Sequence, residues 1–265
     1  MKYNIKRFSK TEKKEKTSKG GGKSIALGAG LFVGGTAGNT ALGSKLSKSM
    51  NRTPGQEEAN ISKKLTEGAS KRGIKINKGD LGIGGPAYNM QNKEVYTAGS
   101  KNAGFLAHEL GHAHYDAKST KMGIGKGSHK IYKATGGALN HLALSPAAGI
   151  AAGIHSGKKA AKLEASGKKE SKLNRHLGWV APLAVSAAPL AAEALASRKG
   201  LKLMKSSGAS KKLLRTAKKE LTSAWGTYGA LAATNAGIGE ASRGLSYRYQ
   251  KKKLEKQKKQ DKDKL

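Results

Sequence analysis

Four long stretches without a charged side chain alternate with charged blocks along the chain. They cover residues 24–44, 134–157, 176–192 and 221–239. Their lengths bracket the ~20 residues that a helix needs to cross a bilayer. In all four, Ala, Gly, Ser and Thr dilute the Leu and Ile that drive membrane insertion. The pattern therefore fits Ala-rich core helices, and it also fits membrane helices that pack through small residues.

The second and third stretches predict a helical hairpin over residues 134–192. Residues 157–175, which join them, contain seven basic and two acidic side chains and are predicted to form a solvated turn region. The pattern changes over residues 52–103, where Gly and Pro are scattered. A turn-like run and the β-type run at residues 93–97 predict one or two short strands there.

Composition limits the size of the core and the chemistry available. The chain has 265 residues, of which 37% are hydrophobic and 36 are Gly, so an ordered core must be modest. It contains no Cys, which excludes disulfides, Cys-ligated zinc, iron–sulfur clusters and thiol nucleophiles. Nine basic side chains precede the first apolar run, so no cleavable signal peptide is expected.

Charge is extreme, with 51 Lys and Arg against 17 Asp and Glu and a net charge of +34. Residues 1–23 and 246–265 are predicted to be basic disordered tails. Such a chain needs anionic neighbours, and an anionic membrane surface or nucleic acid bound through non-specific charge both qualify. No zinc finger, RNP-like aromatic pattern or helix-turn-helix is evident, which argues against base-specific recognition.

One segment carries a recognisable chemistry. Residues 108–112 read His-Glu-Leu-Gly-His. On a helix, His108 and His112 lie on one face and can offer two imidazole nitrogens to one Zn²⁺. Glu109 is then placed to accept a proton from a water molecule that the metal activates. Gly111 lowers helix stability, so we expect another backbone to approach closely at that point.

A catalytic zinc needs a third protein ligand. The metzincin continuation would require His or Asp at position 118, which is Lys118. Glu193 follows directly on an apolar stretch, and its neighbours argue for burial. A buried carboxylate needs a partner, which a metal would supply. The other distant carboxylates lie in basic segments or near the C-terminal tail: Glu164, Glu170, Glu220 and Glu240.

Three segments together resemble the bacterial neutral zinc metallopeptidases with membrane-spanning helices, of the gluzincin group. They are Ala-His-Glu-Leu-Gly-His-Ala at 107–113, Glu-Ala-Leu-Ala-Ser-Arg at 193–198 and Thr-Tyr-Gly-Ala at 227–230, and the resemblance covers roughly residues 60–240. It implies that Glu193 is the third zinc ligand. It also implies that Ser197, one turn further on, supports the site by a hydrogen bond.

The resemblance also suggests where substrate binds. In gluzincins a strand beside the cleft pairs with an extended peptide, and Val95, Tyr96 and Thr97 are the candidate strand. Tyr228 is a candidate donor to the developing oxyanion, although an aromatic side chain packed in a helix contact is the favoured alternative.

The predicted fold is mainly α with a small α+β element. It is a helical zinc-peptidase core at 51–245, with the inserted hairpin 134–192 and one or two short strands before the HExxH helix. A Gly-rich apolar segment at 24–50 precedes it as a candidate for membrane interaction. If the chain crosses a membrane, the positive-inside rule places both tails and residues 157–175 in the cytoplasm. We expect 24–44 to be re-entrant, interfacial or soluble, which would keep the site cytoplasmic.

The predicted function is hydrolysis of peptide bonds in a peptide or protein substrate, at or in a membrane, with one Zn²⁺. The alternative is a basic protein that binds nucleic acid or anionic membrane and holds a structural or degenerate zinc site.

Overall fold

The computed structural model describes residues 20–80, 85–122 and 146–264. The described elements are, in chain order, α1 (Gly20–Met50), α2 (Gln56–Ser70), β1 (Lys75–Asn77), β2 (Ala87–Asn89), β3 (Glu94–Tyr96), α3 (Ala103–Met122), α4 (Ala147–Ala165), α5 (Lys172–Ser206) and α6 (Lys211–Lys262). The protein is mainly helical with one small sheet, which confirms the predicted fold class at that level.

Short polar side chains fix where three of the helices begin. Asn102 Oδ1 accepts hydrogen bonds from the first backbone N–H groups of α3, at 2.7 Å from Gly104 and 3.3 Å from Phe105. Ser171 and Ser210 cap α5 and α6 in the same way. These caps satisfy N–H groups that have no partner within the helix.

The helices α1, α4 and α5 all pack against α6, and α4 also contacts α5. Gly28 of α1 lies against Ala241 of α6, whereas Gly226 of α6 lies against Leu42, so these two helices are antiparallel. Within the described residues, α1, α4, α5 and α6 each run along the bundle once, which makes four crossings. Its α4–α5 turn therefore lies at one end, and α2, α3 and the sheet lie at the other.

Small residues hold the bundle together. A Cβ atom on Gly153 of α4 would lie 2.1 Å from the carbonyl oxygen of Gly239 in α6, and one on Gly35 of α1 would lie 2.6 Å from the backbone nitrogen of Thr234. Only glycine permits such close helix contacts, which are typical of membrane helix pairs.

Large apolar side chains point away from the bundle instead of into it. Val33 is 63% exposed, whereas Ala236 is 1% exposed. Other large apolar side chains of the bundle are exposed as well, namely Leu27, Phe32, Ile150, Ile154, Leu183 and Val185. This distribution is the reverse of that in a water-soluble core.

Among the helices that the structure describes, two are long and apolar enough, by length and composition, to cross a membrane. They are α1 from Lys23 onward and α5, and only 11% and 19% of their most apolar windows are buried. A core helix of a soluble protein would be mostly buried, so these two helices differ from that case.

A charged cluster ties the helices together at the end that holds the α4–α5 turn. Arg243 of α6 is 6% exposed. It donates hydrogen bonds to Ser24 of α1 at 2.6 Å, to Ser156 of α4 at 3.0 Å and to Glu170 before α5 at 2.8 Å. One guanidinium group thus joins all four segments, which suits the fixed fork of donors in Arg.

A second unit, formed by α2, α3 and the small sheet, lies at the other end of the bundle. Here α2 and α3 pack together, and α3 contacts the sheet and α5. Its strand order is β1-β3-β2, with β1 parallel and β2 antiparallel to β3. Its core contains Ile61, Leu65, Val95, Leu106, Leu110, Met204 and Ala217.

Several details of this unit differ from prediction. The described part of residues 52–103 contains three strands, where one or two were predicted. The helix α2 lies in the segment predicted only for strands, because Ile61, Leu65 and Ala69 recur every four residues and form one buried face.

The predicted hairpin forms where the structure describes it, from 146 to 192, with the turn at residues 166–171. Residues 134–145 lie outside the described residues. Segment 24–44 belongs to the 31-residue helix α1, which spans ~46 Å and runs the length of the bundle beside α6. A re-entrant segment would need a chain reversal within 24–44, which this continuous helix does not have. Interfacial or soluble placement of the segment stays a prediction.

The predicted C-terminal tail also differs from the structure. From residue 246 the chain continues α6 as far as Lys262. Lys, Glu and Gln favour helix, and extending an existing helix needs no new nucleation. Of the predicted N-terminal tail, residues 1–19 lie outside the described residues and 20–23 begin α1.

Candidate metal centre

Helix α3 presents both histidines of the HELGH motif on one face. His108 is 7% exposed, and its Nε2 lies 3.2 Å from Nε2 of His112. The two rings meet edge to face, with centroids 4.8 Å apart. Since the i and i+4 positions of a helix are neighbours, the local sequence alone is enough to bring these nitrogens together.

Helix α5 brings Glu193 to the same point. Its Oε2 lies 3.0 Å from Nε2 of His108, and its Oε1 lies 3.4 Å from Nε2 of His112. Ligands at 2.0–2.1 Å from a tetrahedral zinc are about 3.3 Å apart. The separations measured here are close to that value, although the two histidines face different oxygens of the Glu193 carboxylate. With one donor atom taken from each residue, the donors of His108, His112 and Glu193 all lie within 4.8 Å of one another, so the three residues form a group that could hold a metal ion.

The close crossing of α3 and α5 depends on two glycines. A Cβ atom on Gly111 would lie 2.2 Å from the carbonyl oxygen of Ala196, and one on Gly200 would lie 2.7 Å from the carbonyl carbon of Ala107. Gly111 therefore meets another backbone, as the sequence suggested. Without this contact, Glu193 would not come within reach of the histidines.

Ser197 contacts Nδ1 of His108, the ring nitrogen that does not face Glu193 and His112. Its Oγ lies 3.1 Å from Nδ1 of His108. When Nδ1–H donates to Ser197, Nε2 is left unprotonated and faces the other donors. This is the tautomer that a metal requires, and a hydrogen bond of this kind orients the ring.

Glu109 lies beside the three donors without joining them. Its Oε1 is 3.9 Å from Nε2 of His108. Burial raises the pKa of the Glu109 carboxyl, against the opposing effect of the two histidines, and the backbone N–H of Tyr88 donates to this carboxylate. Burial lowers the pKa of His112, but the hydrogen bond and charge of Glu193 and the charge of Glu109 outweigh it and raise that pKa.

The strand beside the site is β2, not β3. Val95 is fully buried in β3, which pairs with β1 on one side and β2 on the other. The prediction that Val95, Tyr96 and Thr97 bind substrate by edge pairing is therefore wrong, because the central strand has no free edge. Within the described residues, the outer edge of β2 is unpaired and turns the N–H of Tyr88 toward Glu109.

Sequence reasoning missed Tyr88. Its hydroxyl donates to Asp116 Oδ2 of α3 at 3.3 Å, which attaches β2 to the metal-binding helix. Burial, with the adjacent Asp116 carboxylate, raises the pKa of Tyr88 to about 12, so the phenol keeps its proton. The run Ala-Tyr-Asn at 87–89 is too short to show alternation, and only its pairing with β3 identifies it as a strand.

Tyr228 of α6 is half-buried and lies within electrostatic range of Glu193 and Glu109. The structure thus brings all the predicted zinc ligands, the predicted base, Ser197 and Tyr228 to one region. It excludes only the predicted substrate strand from an edge position.

No family model, curated protein or solved structure matches this chain. The interpretation of the centre therefore rests on its own geometry.

Proposed function

We propose that this protein is a membrane-embedded zinc metallopeptidase, with His108, His112 and Glu193 as metal ligands and Glu109 as general base. The observation that carries the proposal is the convergence of one donor atom from each of the three residues, all within 4.8 Å of one another. Two neutral imidazoles and a carboxylate are the donor set of catalytic zinc peptidases, which keep a fourth position open.

Each residue has a distinct task in this mechanism. A bound zinc would act as a Lewis acid that polarises the substrate carbonyl and acidifies water. Glu109 accepts the proton of the attacking water and later passes it to the leaving amine. The Tyr88 N–H holds the Glu109 carboxylate, and the Ser197 hydroxyl holds the His108 ring.

The substrate in this proposal is an extended peptide that pairs with the outer edge of β2. That edge borders Glu109, so a peptide added there places its backbone carbonyl next to the base. Tyr228, on the opposite element α6, is the candidate donor to the oxyanion.

The membrane part of the proposal is supported by the reversed distribution of side chains in the bundle. Exposed Leu, Ile, Val and Phe surround a core of Gly, Ala and hydrogen-bonded polar groups. In water this arrangement would leave a large apolar surface exposed, whereas in lipid it is the expected one.

Zinc content per chain tests the proposal. The parent protein should bind one zinc. Glu193→Gln and His112→Ala should each lower zinc affinity sharply, because two protein ligands hold the metal weakly. Glu164→Gln, which changes a carboxylate at the other end of the bundle, is the matched control and should retain the metal. Full zinc content in Glu193→Gln would rule out the ligand set.

Chelation separates the enzyme from the basic binding protein considered above. Peptide cleavage that a chelator abolishes and zinc restores supports the peptidase. Retention of nucleic acid that falls steeply with salt, is unaffected by chelation and occurs without any cleavage would favour the alternative.

A further inference from the structure

A groove between α5 and α6 adjoins the proposed active site at Ser197, which lines it, and continues along the two helices as far as Lys205. Its volume is about 600 Å³. The floor is apolar and the rim is basic, with the cations Arg198, Lys202, Lys205, Arg215 and Lys218. No acidic residue lines it.

These five cations have no carboxylate partner among the ion pairs of the described residues. All five belong to exposed residues that point into or around the groove's opening. Five like charges around one groove repel one another, so an anion placed there would be bound strongly.

The groove begins where the uncharged helix segments end. The Trp225 indole N–H donates to the carbonyl oxygen of Leu190 at 3.1 Å. This bond shows which residues of α5 and α6 lie at the same depth in the bundle. At 1.5 Å per residue, Arg198 lies about 9 Å beyond residue 192 and Lys218 about 5 Å beyond residue 221. The headgroup layer of a bilayer is about 5–8 Å deep on each side. Both cations therefore lie at or near headgroup depth. Ala194, Leu221 and Trp225 lie on the membrane side of them, whereas Leu201 and Leu214 lie farther from the membrane.

We propose that this groove binds an anionic phospholipid, with the phosphate near Arg198, Arg215 and Lys218. An acyl chain would run toward the membrane along the apolar floor formed by Ala194, Leu221 and Trp225. The inference rests on the membrane placement proposed above but not on the peptidase chemistry. The apolar floor favours a lipid over free phosphate, and its continuity with the uncharged helix segments favours a lipid over an acidic peptide or nucleic acid.

Trp225 is a reporter inside the groove. The chain has two tryptophans, and the other, Trp179, lies near the start of α5 at the opposite end of the bundle. In Trp179→Phe, the only indole lines the groove. The experiment reconstitutes this full-length variant in nanodiscs that contain brominated phosphatidylglycerol or brominated phosphatidylcholine and measures quenching of Trp225 fluorescence.

We expect brominated phosphatidylglycerol to half-quench Trp225 at a mole fraction roughly tenfold lower than brominated phosphatidylcholine does. Equal quenching by the two lipids would overturn the groove proposal and leave membrane placement intact. No quenching by either lipid would overturn both. Release of quenching by millimolar inorganic phosphate would assign the groove to free anions, and release by a short RNA would assign it to nucleic acid. Either release overturns the lipid proposal.

Charge-matched variants then locate the binding. Arg198→Gln, Arg215→Gln and Lys218→Gln together should raise the half-quenching mole fraction of phosphatidylglycerol roughly tenfold. The control combines Lys63→Gln, Lys71→Gln and Lys78→Gln, which remove the same charge from exposed positions in the unit formed by α2, α3 and the sheet. This control should leave the half-quenching mole fraction unchanged. Equal shifts in both variants would assign the preference to net charge and overturn the proposal. The comparison of the two lipids in Trp179→Phe needs no groove substitution, so a misfolded variant does not weaken the test.

Discussion

At the residue scale, the distinction between ligand and base is the most informative feature of the centre. The Glu193 carboxylate lies 3.0 and 3.4 Å from the Nε2 atoms of His108 and His112, whereas Glu109 lies 3.9 Å from His108 Nε2 and accepts from the Tyr88 N–H. In the proposed mechanism, the partly buried Glu193 and the buried Glu109 would thus differ in role because of what surrounds each of them.

Glu109→Gln should keep zinc and lose hydrolysis. The ligand atoms are untouched, but the amide cannot accept the proton of the attacking water, so we expect turnover to fall about 10²–10⁴-fold. Zinc content and peptide cleavage measured on the same preparation check both parts. Glu67→Gln, an exposed carboxylate on α2, serves as the control. Unchanged turnover in Glu109→Gln would exclude it as the base.

At the element scale, the crossing of α3 and α5 decides whether the ligands meet. Both crossing glycines face carbonyl groups of the partner helix. The two helices approach more closely than any side chain would permit, so the crossing is sensitive to a single methyl group.

Gly111→Ala tests this crossing. Alanine is intrinsically the better helix former by about 0.5–1 kcal/mol, yet its Cβ would meet the Ala196 carbonyl oxygen at 2.2 Å. We expect a net destabilisation of about 1–3 kcal/mol and weaker zinc binding. Gly34→Ala, where an added Cβ meets nothing within 4 Å, should be neutral or stabilising. Gly111→Ala should therefore lower both the thermal midpoint and the zinc content, whereas Gly34→Ala should lower neither. Equal changes in the two variants would contradict the role of the crossing.

The sequence predicts local features of this fold better than pairings between distant segments. His108 and His112 are four residues apart on one helix, so their meeting is set locally. Glu193 was found through its apolar neighbours and a family resemblance. The edge position of β2 depends on which strands pair, and a three-residue strand carries too little pattern to show that. The helical C-terminal segment was missed because its charged composition resembles that of a disordered tail.

At the scale of the whole molecule, the four crossings place the metal centre and the α4–α5 turn at opposite ends of the bundle. Basic residues outnumber acidic ones at both ends, for example around Lys202 and around Lys251. The positive-inside rule therefore favours neither orientation, and it does not support the predicted cytoplasmic location of the site over the opposite one.

Single cysteines test this topology directly, since the chain has none of its own. In sealed vesicles, a membrane-impermeant maleimide should label Lys168→Cys, in the α4–α5 turn, and Lys258→Cys from the same side. Lys258 donates to the Ala165 carbonyl oxygen at 3.3 Å, which places it at that end. Lys71→Cys, at the end of α2, should be labelled only from the other side. Labelling of all three from one side would contradict the membrane-spanning bundle.

The separation of the zinc ligands along the chain also has a consequence for synthesis. His108 and Glu193 are 85 residues apart, and α4 and most of α5 are made between them. At 5–20 residues per second, a ribosome needs about 4–17 seconds to cover that distance. During this interval the nascent chain holds the base and two ligands but no complete metal centre, and Glu193 arrives only with the helix that must insert beside α6. In the proposed enzyme, hydrolysis would therefore begin only after α5 has been made and packed against α3.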